Sequence, residues 1–324
     1  MAAEGRRAAS PPGDSRVASR VGRRADVTAA GLAATVIEPA GPWNGRVLYC
    51  LPGGGMSRRY FDLALPGYSM AEHLAGRGFV VATIDHPAVG DSPAPADPWG
   101  LTPAVVADAD AHAVRELHAR LGGVPIGVGH SMGAMLTVTA QARDPLYAGL
   151  ALLGYAHIEH YERTELAGVL TSEERTLLGK PDRIEAAVAE LAKARFGRPL
   201  PKGTTTRSAF LLGGMPVPDE ALDALDGCIA PLLACCGLAS MLKCTSDAIG
   251  VLDVPVFIGF GQRDITGDAR STASALLRCP DITLFELPGA GHNHNVAPNR
   301  SLLWDRVASW AERVGVPEVT RPAR

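Results

Sequence analysis

The sequence predicts an α/β protein built on a mostly parallel β-sheet with helices on both faces. Three observations lead there. Short apolar runs at residues 46–51, 79–85 and 148–153 alternate with helical patterns, and strands covered on both faces read as continuous apolar runs. Residues 124–136 read as a strand, a sharp turn and a small-residue helix. At 324 residues, 47% hydrophobic and 20% charged, the chain can bury a sizeable core in one large domain or two smaller ones.

Each element follows from local chemistry. Residues 1–26 are rich in Ala, Arg, Ser, Gly and Pro without an apolar period and read as a disordered tail. Neither Arg6-Arg7 nor Arg23-Arg24 is followed by the apolar segment of an export signal. Residues 27–37 alternate like a strand at the sheet edge, and 41–45 form a turn. The buried strand 46–51 runs into Pro52-Gly53-Gly54-Gly55. A helix lies within 60–78, with Ser69 as its N-cap ahead of Met70, Ala71, Leu74 and Ala75. Strand 79–85 leads over a Pro-rich loop to a helix at 102–121, opened by Thr102 and Pro103. After strand 148–153 a long insertion runs to residue 248. Strands at 254–260 and 282–287 follow, and a helix at 300–314 carries Leu302, Leu303, Val307 and Trp310 on one face.

The turn between strand and helix holds Gly129-x-Ser131-x-Gly133, the pattern of a nucleophile elbow. The two backbones approach so closely there that side chains at Gly129 and Gly133 would collide. The following helix points its free N–H groups and positive dipole end at Ser131, where an oxyanion is favoured. A second match, Gly67-Tyr68-Ser69-Met70-Ala71, has no apolar strand before it. His130 adjoins Ser131, and adjacency turns its side chain elsewhere, to shape the elbow.

Composition excludes several roles. A net charge of −3 gives no electrostatic case for nucleic acid or an anionic membrane. No apolar run approaches the ~20 residues of a membrane span. Six cysteines without a C-x-x-C pair read as reduced, mostly core residues, and the cytoplasm is the expected compartment. His292-x-His294 has no surrounding acidic ligands, so no metal is expected there, and no cofactor is implied.

The order strand, Gly-rich loop, strand, strand-elbow-helix, strand, long insertion, strand, strand, helix resembles the α/β-hydrolase fold from about residue 27 to 318. The resemblance implies a catalytic triad in the order Ser, acid, His. Ser131 would be the nucleophile. His292, in Pro288-Gly289-Ala290-Gly291-His292 after the last strand, stands where the family keeps its histidine, with His294 as the alternative. Asp264, in Gly261-Gln262-Arg263-Asp264, stands where the family keeps its acid, with Asp268 and Glu159 as rivals. The oxyanion donors would be the N–H groups of Met132 and Gly54. Pro52 stands where the family often has His before these glycines. Asp85-His86 resembles a step after the fourth strand that is usually structural.

In that family the insertion forms a helical cap, here residues 156–248, dividing the core into 27–155 and 249–324. Thr171-x-x-Glu174 has the form of a capping box. Tyr155, His157, His160 and Tyr161 open the insertion and read either as substrate contacts or as packing. Residues 228–242 are apolar on nearly every face and either line a hydrophobic pocket or pack on the core. The expected function is a serine hydrolase acting on an ester, lactone or thioester of a mostly apolar small molecule through an acyl-enzyme. Acyl transfer, C–C bond hydrolysis and ligand binding without turnover use the same fold and stay open.

Overall fold

In the computed structural model, which describes residues 21–157, 168–203, 207–266 and 270–315, eight strands form one sheet in the order β1-β2-β4-β3-β5-β6-β7-β8. The strands are β1 (Val21–Ala29), β2 (Leu32–Pro39), β3 (Arg46–Leu51), β4 (Val80–Ile84), β5 (Val124–His130), β6 (Gly149–Leu153), β7 (Val256–Gly261) and β8 (Ile282–Leu287). β1 and β2 pair antiparallel, as do β2 and β4, and from β4 through β3 to β8 every pairing is parallel.

The edge differs from the sequence expectation. Residues 27–37 are not one strand. They turn at Ala30-Gly31, where both residues have positive φ, and form a hairpin. β1 reaches back to Val21, so residues 21–26 of the expected tail are paired in the sheet, with Asp26 opposite Thr35. Arg58 ties this edge to the core: its Nε donates to Thr35 Oγ1 at 3.0 Å, and Nη1 bonds the buried Asp85 carboxylate.

The helices are α1 (Met70–Ala75), α2 (Pro103–Leu121), α3 (Met132–Arg143), α4 (Ser172–Arg175), α5 (Pro181–Phe196), α6 (Ala209–Leu212), α7 (Asp219–Asp226), α8 (Ala234–Met241), α9 (Arg270–Ala275) and α10 (Arg300–Ala311). Ser69 caps α1 by accepting from Glu72 N at 2.9 Å, and Thr171 with Glu174 forms a reciprocal capping box. In α10 the buried face carries Leu303, Trp304, Val307 and Trp310, while Leu302 is 50% exposed. The apolar stripe is thus rotated from the one expected, because Trp304 takes the inward position.

Two apolar layers cover the sheet. One face carries Val47, Tyr49 and Leu51 of β3 against α2, α3 and α8. The other carries Leu48 and Cys50 against α1 and α10. β5 shows why its sequence alternates glycine with β-branched residues. Ile126 and Val128 fill the second layer, while Gly127 and Gly129 face α3. A β-carbon at Gly129 would lie 2.5 Å from Ala134 N, and one at Gly133 would lie 2.5 Å from the Pro52 carbonyl oxygen. Strand, helix and the loop after β3 therefore meet backbone to backbone.

This contact predicts a stability contrast. Gly133→Ala should lose about 3 kcal/mol or more of unfolding free energy in urea titrations, because only backbone is there to give way. Gly41→Ala, which meets nothing within 4 Å, should change stability by no more than about 0.5 kcal/mol.

Candidate active site

The parallel register places the carboxyl ends of β5, β6, β7 and β8 in a row, and such an edge is where open α/β sheets bind ligands. Ser131 leaves β5 at φ 54° and ψ −118°, a left-handed conformation that non-glycine residues rarely adopt. Two anchors hold it there. Its N–H donates to Leu153 O at 2.8 Å, and its carbonyl accepts from Ala134 N and Met135 N at 3.0 and 3.2 Å. The turn is sharp enough to hold the half-buried side chain clear of both strand and helix.

His292 and Asp264 arrive on two loops that are bonded to each other. Gln262 N donates to Leu287 O at 3.0 Å, and Arg263 N to Ala290 O at 2.8 Å. The His292 N–H donates to Leu211 O of the insertion at 2.9 Å. Its ring lies over Gly154, where a β-carbon would sit 3.0 Å from Cε1. The result is one continuous chain. His292 Nε2 lies 2.9 Å from Ser131 Oγ, and His292 Nδ1 lies 2.8 Å from Asp264 Oδ1.

Asp264 serves more than one partner. Its Oδ1 also accepts from Thr266 N and Oγ1, at 3.0 and 2.9 Å, and its Oδ2 takes His294 Nε2 at 3.1 Å. Burial by itself would raise its pKa, but the rings of His292 and His294 outweigh burial and hold it well below the usual carboxylate range. His294 is thus bound to the same carboxylate as His292 and not to the serine. Burial lowers its pKa, so it donates as a neutral imidazole. His130 points away from Ser131, as its adjacency implies. Its Nε2 donates to His292 O at 3.0 Å, and its ring packs against Tyr60 with centroids 4.5 Å apart. Burial, then the nearby His292 and His294 rings, push its pKa well down.

The loop after β3 lies against the elbow. A β-carbon at Gly53 would sit 3.2 Å from Ser131 Cβ, and one at Gly54 would sit 3.7 Å from Met132 Cβ. Among the described residues, no acceptor takes the N–H of Gly54 or of Met132. The insertion pairs with this loop through Ser57 N to Cys228 O at 2.8 Å and Ala230 N to Gly55 O at 2.9 Å. Leu232 is brought over Gly54, where its Cδ1 would lie 2.8 Å from an added β-carbon.

Other residues singled out from the sequence have different places. Asp268, Glu159, His160 and Tyr161 lie outside the described residues. His157 N donates to Thr272 Oγ1 at 2.8 Å, and the Tyr155 hydroxyl bonds Thr245, so both are held in packing. Residues 228–242 form two things: an extended stretch beside the loop after β3, and α8, whose Cys235, Cys236, Leu238 and Ala239 are buried in the core. Burial on the core accounts for the all-round apolarity of α8. Gly154, Leu211, Thr266 and Tyr60 went unremarked in the sequence, although a glycine closing the strand that neighbours the elbow was a usable sign.

The family model described as "Alpha/beta hydrolase family" matches residues 48–303. The chain belongs to the alpha/beta hydrolase family. Several solved structures share this fold with the hydrolase. An esterase from Thermogutta terrifontis matches at 17% identity and TM-score 0.57, covering 91% of this chain and 100% of that one. A monoacylglycerol lipase from Paleococcus ferrophilus matches at 19% and 0.60, covering 87% and 98%. A proline iminopeptidase from Mycobacterium smegmatis matches at 18% and 0.57, covering 90% and 98%. No curated protein sequence matches this hydrolase. Among its described residues, no helix is long and apolar enough to cross a membrane.

One buried cation lies in the insertion. Lys243 Nζ donates to Ala156 O at 2.8 Å and sits 5.6 Å over the Tyr155 ring. Burial lowers its pKa from 10.5 to about 8. The unfolded chain therefore binds more protons between those values, and this group's contribution to stability rises with pH across the window. Relative to Lys243→Met, wild type should gain roughly 3 kcal/mol between pH 7 and pH 11, measured by denaturant titration of both proteins at each pH. The comparison cancels the titration of tyrosines, cysteines and other lysines common to both.

Proposed function

We propose that this alpha/beta hydrolase is a serine hydrolase that cleaves a carboxylic ester, lactone or thioester of a mostly apolar small molecule. The observation that carries this reading is the unbroken chain from Ser131 Oγ through His292 to Asp264, with the serine on a strained turn. A serine alcohol is a poor nucleophile at neutral pH and needs an adjacent base. Asp264 accepts the Nδ1 proton of His292, which leaves the Nε2 lone pair facing Ser131.

In the first half-reaction His292 Nε2 takes the Ser131 proton as Oγ attacks the carbonyl carbon. The C=O bond becomes an oxyanion, which the N–H groups of Met132 and Gly54 hold. The imidazolium passes its proton to the leaving group as that bond breaks, giving an acyl-enzyme on Ser131. Water, deprotonated by His292, then repeats the sequence and frees the acid. His130 and His294, both kept neutral by burial, leave His292 as the ring that carries the transient positive charge toward Asp264.

Residues 156–248 would act as a cap over this site, on a core of 27–155 and 249–324. Leu232 over Gly54 gives the substrate side an apolar wall, which favours an apolar acyl or alcohol group. A small-molecule substrate needs no metal or cofactor in this scheme.

Fluorophosphonate labelling followed by peptide mass mapping tests the reading. The label should fall on the peptide carrying Ser131 and disappear in Ser131→Ala and His292→Ala. Asp264→Asn should retain the fold and lower kcat about 10³- to 10⁴-fold. A folded wild type that takes neither a fluorophosphonate nor a smaller sulfonyl fluoride would replace catalysis with ligand binding on the same fold.

A further inference from the structure

Behind the oxyanion loop lies a buried pair that the serine chemistry does not touch. His86 follows β4 and Asp110 sits in the middle of α2, and both are 0% exposed. His86 Nδ1 lies 2.7 Å from Asp110 Oδ2, and His86 Nε2 donates to the Pro52 carbonyl oxygen at 3.0 Å. Two ionisable side chains wholly out of water are costly, and apolar residues would fill the space more cheaply. The compensation is incomplete as well, since Asp110 Oδ1 has no partner among the described residues.

The placement of the Pro52 carbonyl shows what the pair does. That carbonyl shares a peptide plane with the Gly53 N–H, one residue before Gly54. Gly53, Gly54 and Gly55 have no side chains to restrict their torsions. The orientation of the Gly54 N–H therefore depends on how firmly the preceding plane is held. Gly133 closes one side of the Pro52 oxygen, where a β-carbon would lie 2.5 Å away, and His86 supplies its hydrogen bond. The neighbouring Asp85 is committed elsewhere: it bonds Arg58 and accepts from Asp91 N at 3.0 Å. His86 alone of this Asp-His step thus faces the oxyanion loop.

We infer that His86 and Asp110 form a positioning couple that aims the Gly54 N–H at the oxyanion, His86 by holding the Pro52 carbonyl and Asp110 by holding the His86 ring. The inference rests on the serine-hydrolase reading above. Neither side chain touches substrate. Their effect is on how well the transition-state charge is met, and so on kcat more than on KM.

Two double variants of similar shape separate aiming from filling. His86→Gln/Asp110→Asn keeps a donor near the Nε2 position and a partner for it. His86→Met/Asp110→Leu fills the same space without a donor, and changing both members together avoids leaving one buried polar group orphaned. With p-nitrophenyl acetate and butyrate, the Met/Leu variant should lose about tenfold to a hundredfold in kcat, with KM within about twofold and fluorophosphonate labelling slowed in parallel. The Gln/Asn variant should stay within about threefold of wild-type kcat. Melting curves establish that both are folded, and the single variants His86→Gln and His86→Met carry the same comparison if the apolar pair does not fold. An unchanged kcat in the donor-free variant, or an equal loss in both, overturns the inference. Wild type that takes no label at Ser131 overturns the underlying reading instead, and does so without any variant.

Discussion

The site depends on a contact with no side chains in it. At Gly129 and Gly133 the end of β5, the start of α3 and the loop after β3 share a space that a single β-carbon would overfill. That closeness produces the left-handed Ser131, sets the Gly53-Gly54 backbone beside it, and leaves the Met132 N–H, at the head of a helix, without an acceptor among the described residues. The proposed nucleophile and anion donors are thereby fixed by main chain, which has few ways to relax. Strain of this sort persists only where the surroundings over-determine it, and here a sheet layer buried on both faces does so.

Charge in the site is gathered on one carboxylate. Asp264 takes hydrogen bonds from two imidazoles and from Thr266, so it stays ionised despite burial. The two other rings packed around His292 are neutral for the same physical reason, the cost of placing a cation in a dry interior. The cluster of three histidines thus contains one ring beside Ser131 and two rigid donors. His294 holds the Asp264 carboxylate and His130 the His292 carbonyl, so residues that look alike in the sequence have different places.

The sequence showed the strand order and the three side chains that meet, because each carries a local sign. Apolar runs marked β3 to β8, and glycine-rich turns at their carboxyl ends marked Ser131, Asp264 and His292. What escaped was set by distance or by weak punctuation. The Ala30-Gly31 turn looked like alternation within one strand, so the hairpin and the start of β1 were missed. The inward turn of Trp304 in place of Leu302 depended on packing against α1 and the core. Leu211 meets His292 through its carbonyl oxygen, an atom every residue has, so no residue type could announce it. The apolar 228–242 segment was ambiguous because core packing and pocket lining ask for the same side chains.

The insertion is fastened to both halves of the site by main-chain bonds: Ala230 and Cys228 to the loop after β3, Leu211 to the histidine loop. Main-chain seams carry no side-chain requirement. The insertion can therefore exchange its side chains while its path, and the loops it braces, stay in place. On the reading proposed above, selectivity and reactivity would then be built from different parts of the same polypeptide, one free to drift and the other held.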